Sequence, residues 1–442
     1  MFAPTLVRRA RPISVAVCLL LLPLSAAAPA ARAQDDAAAP VVTPLRIAAN
    51  DLRPHVEYLT DPARRGRPGG RADAAADYLV DHFQSLGLEP VFEPKPAEAS
   101  PDGGGEPGDA KSEPNGAAKS YSQTIAGPDG GAFGRNVAAL LPGSDPAVKD
   151  EIVLVGAHYD HLGVRGGVLY PGADDNASGT AMLLEVAERL AADVKAGKGP
   201  RRSVLLVGFD LEERMLFGSR WFAAHPPAVL TGGKEDATMR QLKTVFIADM
   251  IGRSLGDLDL PTVFVMGSEH APHLKSVLDR AGLPAGLETA RLGIDLIGTR
   301  SDYGPFRDRD IPFLFFSTGE HGDYHRPTDT LENLDVEKAA RVASLMLAVV
   351  KTTADDADAP VWEENPAPDL DEARAVNRIT GLLLERAASE ENPDGRRFGT
   401  MQRVALAQTK STTEGILERG EMTPDERSWL VKLSQVLLLS VF

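Results

Sequence analysis

At 442 residues the chain exceeds one small domain and has room for a catalytic domain with additions. Its formal charge of −16 argues against nucleic acid or an anionic membrane as a partner. The single cysteine, Cys18, excludes an intramolecular disulfide, so stability must come from a buried core.

The first 33 residues read as an export signal. Arg8, Arg9 and Arg11 form a basic start, Ile13 to Leu24 an apolar run, and Ala31-Arg32-Ala33 a small-x-small cleavage site. Pro23 and the alanines after it make a retained membrane helix the weaker reading. Cleavage removes four arginines and no acid, which takes the mature charge to −20. The expected location is periplasmic or extracellular. Residues 34–44 read as a disordered Ala/Asp/Pro leader, and a peptidase-sized unit spans 45–353. A helix is expected over Leu52 to Leu59, then a turn-rich loop at 61–70. A second helix runs from Asp73 to Leu86 and stops at Gly87. Residues 94–120, rich in Gly, Pro, Ala, Glu and Lys, read as a flexible insertion.

From 151 to about 353, short apolar runs alternate with helical stretches. That is the pattern of an α/β fold with a mostly parallel central sheet and helices on both faces. Four runs read as buried strands: 151–157, 203–209, 244–248 and 311–316. Asn176 to Ala196 and Val336 to Val350 read as covering helices. Residues 354–368 form an acidic, proline-bearing linker. Residues 369–442 then carry a helical extension of three stretches, the last opened by the capping box Thr423-Pro-Asp-Glu426.

The chemistry-bearing residues sit where these strands end, and open α/β sheets bind ligands beyond the carboxyl ends of their strands. His158 follows the first strand, and Asp160, two residues on, can accept its second ring N–H. Asp174 lies among small residues in Pro171-Gly-Ala-Asp-Asp-Asn-Ala-Ser-Gly. A carboxylate shared by two metals needs such a close-approach turn, whereas Asp175 and Asn176 are candidate helix caps. Glu212 and Glu213 follow the second strand. Adjacent side chains point apart there, so one can bind metal while the other faces the attacking water. Asp249 closes the third strand, and His325 supplies a second imidazole after the fourth. Two imidazoles with several carboxylates are what a pair of zinc ions requires. His321 reads as a loop or substrate-side residue, and the five histidines at 55, 82, 225, 270 and 273 as ordinary packed or solvent-facing ones.

These five separated motifs, in this order, resemble the secreted dizinc aminopeptidases, a family that shares its fold with glutamate carboxypeptidase and glutaminyl cyclase. The resemblance covers roughly 45–353. It implies His158 and Asp249 on one zinc, Glu213 and His325 on the other, and Asp174 bridging with a cis peptide to Asp175. It implies Glu212 as general base, and Tyr324 at a position that binds the oxyanion in some members. Its substrates would be peptides with a free N-terminus. Met215 and Tyr303 depart from the pattern at positions that are not ligands. Two alternatives stay open. A carboxypeptidase of the same clan could use Arg253, Arg300 or Arg326 for a C-terminal carboxylate. A glutaminyl cyclase would need a single zinc.

Overall fold

The computed structural model describes Pro44 and residues 46–93, 118–234, 236–388 and 399–441. The expected export signal, nearly all of the expected leader and most of the 94–120 insertion lie outside the described residues. The chain opens on helices α1 (Ala49–Thr60) and α2 (Asp73–Leu86) and strands β1 (Glu89–Pro90), β2 (Ser122–Ala126) and β3 (Ala132–Leu141). The alternating part begins with β4 (Ile152–His158), the hairpin β5 (Gly163–Arg165) and β6 (Val168–Tyr170), then α3 (Gly179–Lys195) and β7 (Ser203–Phe209). It continues through α4 (Phe217–Ala224), α5 (Ala228–Thr231), β8 (Leu242–Ala248), β9 (Thr262–Met266) and α6 (Pro272–Ala281). It closes with β10 (Glu288–Leu292), α7 (Gly304–Arg307), β11 (Phe313–Ser317) and α8 (Val336–Asp355). Three further helices follow: α9 (Leu370–Ala388), α10 (Thr400–Arg419) and α11 (Pro424–Val441).

The main sheet has the order β1-β3-β7-β4-β8-β11-β9-β10, with β2 on β3. The centre, β7-β4-β8-β11, is parallel, as the buried apolar runs required. Antiparallel strands flank it: β3 against β7, and β9 against β11. The central strands bury both faces, and their residues divide by parity. Val153, Val155, Leu206 and Phe246 pack with α1, α2, α3 and α8 on one face. Leu154, Leu205, Val207 and Ile247 pack on the other with Phe222, Phe306 and Leu383. That alternation is the two-residue period of a strand, and each such side chain contributes about 1.5–3 kcal/mol by leaving water.

The sequence signals for helix ends are met locally. Gly87 takes the left-handed conformation (φ 76°), and its N–H bonds back to Phe83 and Gln84. At α11, Thr423 N donates to Glu426 Oε2 (3.0 Å), and Glu426 N donates to Thr423 Oγ1 (3.3 Å). The terminal helices dock on the sheet's far edge. Leu383 of α9 joins the core beside Phe264 and Phe315. Leu296, Ala373, Val376, Ile416 and Leu430 form a smaller core of their own. Arg427 of α11 ties the arrangement, donating to Glu372 (2.8 Å) and forking onto Asp295 (2.7 and 2.8 Å). No described helix is long and apolar enough to cross a membrane.

Candidate metal centre

Register brings the strand ends together. His158 pairs with Phe209 across β4 and β7, and Ala248 pairs with Phe316 across β8 and β11. The residues just beyond those four ends therefore share one small volume. Positive φ at non-glycine residues marks three of these places: Leu211 (59°) before Glu212, Met250 (60°) after Asp249, and His325 itself (55°). Residues other than glycine rarely adopt that region.

Two groups of side chains stand close enough to hold a cation among the described residues: His158, Glu212 and Asp249, and His161, Asp175 and Glu213. In the first, His158 Nε2 lies 3.2 Å from Asp249 Oδ1. In the second, His161 Nδ1 lies 2.7 Å from Glu213 Oε1. His325 Nε2 borders the second group, 3.1 Å from Glu213 Oε2 and 3.2 Å from Asp175 Oδ2. Asp175 faces both groups, with Oδ1 3.5 Å from His158 and Oδ2 3.8 Å from His161.

The place between the groups is thus taken by Asp175, which corrects the expectation for Asp174. The carboxylate of Asp174 is committed elsewhere: Oδ1 accepts Gly252 N (2.7 Å) and Ser178 Oγ (3.2 Å), and Oδ2 lies 3.4 Å from His321. Asp174 therefore pins the loop after Asp249. The cis peptide, expected between Asp174 and Asp175, joins Asp175 to Asn176. Of the two cap candidates, only Asn176 takes a cap-like role, its Oδ1 accepting Gly179 N (2.9 Å). His321, read as a loop or substrate-side residue, lies in a loop and is buried against Asp174.

A frame of buried polar groups holds the centre. His158 Nδ1 is 3.2 Å from the Asp160 carbonyl and 3.6 Å from its carboxylate, whose Oδ1 also accepts Glu212 N (3.1 Å). Asp329 accepts the backbone N–H of both Asp174 (2.9 Å) and Asp175 (3.1 Å). Arg67, fully buried, donates to four carbonyls, those of Leu59, Tyr159, Pro171 and Gly172, at 2.7–2.8 Å. It fastens the main chain on both sides of His158 and the Asp174–Asp175 turn. Burial lowers the Arg67 guanidinium to about 10.

Charge in the site is unbalanced. Burial raises the carboxyls of Glu212 and Asp175 above the usual range, and neighbouring acids add to the shift. Asp302 is pushed up to about 7 by burial. His161 is driven down to about 3 by burial, so its ring is neutral. His325 goes the other way, up to about 10, because bonds to Asp175 and Glu213 outweigh burial. His161 Nδ1 and Glu213 Oε1 face each other at 2.7 Å without hydrogen-bond geometry, and His161 Nε2 and Asp160 Oδ2 are buried without a hydrogen-bond partner. Unmet buried polar atoms are costly. A neutral imidazole beside unpaired carboxylates is the donor set a divalent metal satisfies, so these residues fit zinc.

His161 and Arg67 are what sequence reasoning missed. His161 stands three residues after His158 on no periodic face, and reaches the site because its N–H bonds to Arg67 O (2.7 Å). No sequence signal marked Arg67, which lay inside a turn-rich segment. Glu212 and Tyr324 both line a cavity that opens from this centre. The Tyr324 ring stacks on His325 at 3.9 Å between centroids, and burial raises its phenol well above its ordinary value.

Residues 136–350 match the model of peptidase family M28, in agreement with the resemblance read from the motifs. The chain is 27% identical over 214 residues to the aminopeptidase YwaD of Bacillus subtilis, covering 45% of this chain and 40% of that one. It thus spans less than half the length of that curated relative. The zinc aminopeptidase BSAP of Bacillus subtilis superposes with a TM-score of 0.51 at 19% identity, over 73% of this chain and 99% of that one. The LapA aminopeptidase of Legionella pneumophila gives 0.50 at 17% identity, over 71% and 73%. These two likenesses establish a shared fold.

Proposed function

We propose that the protein is an exported metallo-aminopeptidase that removes N-terminal residues from peptides, using two zinc ions and Glu212 as general base. The observation that carries the reading is the pair of adjoining donor groups at the strand ends, each placed to hold one cation, with a cavity opening from them. The cavity is lined by Asp175, Glu212, Asp249 and Glu320, and Arg300, the one cation among its described lining residues, already pairs with Glu320 at 2.9 Å. With metal bound, Asp175 and Asp249 are neutralised, and the paired Arg300 leaves a C-terminal carboxylate no free cation among the described residues of this wall. Arg253 is likewise engaged, by Asp323 (2.8 Å) and Asp257 (3.0 Å), which weighs against the carboxypeptidase alternative.

His158 and Asp249 would hold one zinc, His161, Glu213 and His325 the other, and Asp175 would serve both. When bound, the metal supplies Lewis-acid polarisation of the scissile carbonyl and lowers the pKa of water to about 7. Glu212 takes the proton of the attacking water and returns it to the leaving amine, a role suited to a carboxyl whose burial favours proton uptake. Tyr324 keeps its proton and donates a hydrogen bond to the developing oxyanion. Asp160 orients both the His158 ring and the Glu212 main chain.

The test combines metal analysis with substrate choice. Protein purified without chelator is expected to carry near two zinc ions per chain and to cleave aminoacyl nitroanilides but not their N-acetylated forms. One zinc, with no activation by more, would favour the cyclase; cleavage of N-blocked peptides at a free C-terminus would favour the carboxypeptidase.

A further inference from the structure

The cavity that begins at Asp175, Glu212 and Asp249 does not end inside the region matched by the family model. Its far half is apolar, walled by Phe264 and Met266 of β9, by Leu296 and Ile297, and by Ile379 and Leu383 of α9. Helix α9 belongs to the extension beyond residue 350, where the family match stops. The helix is held there firmly: Glu372 accepts from Gly293 N (3.3 Å) and from Arg427, and Arg427 also grips Asp295 beside Leu296. The cavity measures about 180 Å³. Apolar cavities of about 150 Å³ take a benzene-sized guest.

We propose that Ile379 and Leu383 of α9, outside the region matched by the family model, wall the subsite that receives the side chain of the substrate's N-terminal residue and set how large an apolar residue it accepts. The inference rests on the aminopeptidase reading and deepens it. A substrate seated beside Glu212 and Asp249 shares one cavity with the carbon-lined wall of Phe264, Met266, Ile379 and Leu383. The extension thus contributes to the shape of the active site as well as to packing.

The experiment uses the full-length, zinc-loaded chain with Ile379→Trp, which fills the subsite, and Ile379→Ala, which enlarges it. Ratios of kcat/KM are measured for phenylalanyl, leucyl and alanyl nitroanilides, and for the dipeptide series Xaa-Ala and Ala-Xaa, with zinc content as the control. Differences of methylene size in an apolar pocket shift such ratios by about 10–200-fold. Ile379→Trp should therefore lower the phenylalanyl-to-alanyl ratio at least about tenfold with zinc content unchanged. If the tryptophan variant does not fold, Ile379→Ala decides: it should lower the leucyl-to-alanyl ratio severalfold. Unchanged ratios in the folded variants, or a preference that follows the second residue, overturn the subsite. A zinc-loaded wild type that cleaves no free-N-terminal substrate instead refutes the aminopeptidase reading itself.

Discussion

Two regions of the molecule bury charge in opposite ways. At the strand ends, Asp160, Asp174, Asp175, Glu212, Glu213, Asp249 and Asp302 crowd around four imidazoles, and several of their atoms have no partner. Under the terminal helices, buried Glu372 and the nearby Asp295 share one arginine, Arg427, through short charge-assisted bonds. The same chemistry serves binding in the first place and cohesion in the second. Unsatisfied acids lower stability until a cation arrives, whereas satisfied ones fix a helix in position. The pairing of a buried charge, more than its burial, separates the two regions.

Asp175→Asn should break the comparison most visibly. Activity is expected to fall on the order of 10³-fold or more, as when a member of a concerted site is removed, together with zinc content. The metal-free variant should nonetheless melt higher than the metal-free wild type, because a like charge has left a crowded buried site. A lower melting point with chelator present would refute the view of the site as an unbalanced cluster. Glu212→Gln sharpens it. That change should lower kcat by about 10²–10⁴-fold with KM nearly constant and zinc retained, whereas Glu213→Gln should lose zinc. A reversed pattern in metal analysis would exchange the two roles.

Arg427→Met tests the opposite region. It strands Glu372 in a buried place, so the denaturation free energy should fall by about 2–3 kcal/mol while zinc binding holds. The smallest effect is expected at Asp193, on the shell away from the site, where Arg46 (2.9 and 3.1 Å) and Lys351 bind its carboxylate. Arg46, and then Lys351, hold that carboxyl down to about 2 against burial. A depressed acid contributes stability above its unfolded value, and loses it as pH falls through the folded one. Asp193→Asn should thus cost about 1 kcal/mol at neutral pH, since the cations are partly solvated. The difference from wild type should narrow below about pH 4 and close only below about pH 2; a gap that persists at about pH 1 would mean the loss is one of packing.

What the sequence revealed and what it hid divides along physical lines. The central strands were legible because each is buried on both faces and so is apolar throughout, and the acids and imidazoles at their ends stood out by contrast. Strands β9 and β10, parallel to each other but opposed to the central four, were not read as strands, since short runs beside helical stretches leave direction and pairing open. Asp174 and Asp175 could not be told apart by composition. Which one faces the centre depends on the backbone path through Gly172 (φ 61°) and the cis peptide, and neither leaves a mark on residue type. His161 was passed over for a related reason: its place depends on a bond to Arg67, 94 positions earlier in the chain. The extension's helices were expected from spacing and capping, but no periodicity says that Ile379 and Leu383 border the cavity.

Asp329 meets the main chain of Asp174 across 155 residues, and His158 meets Asp249 across 91. Contacts that close such long loops carry the largest entropy cost and the lowest rates of formation, so they belong to the late steps of folding. The zinc-holding geometry therefore exists only in a nearly complete molecule, and metal has no early template on which to nucleate one. Zinc should then leave the refolding limb of a chevron plot unmoved and slow the unfolding limb alone. Metal would act in this protein as a lock on the finished structure, set after the chain has found its path.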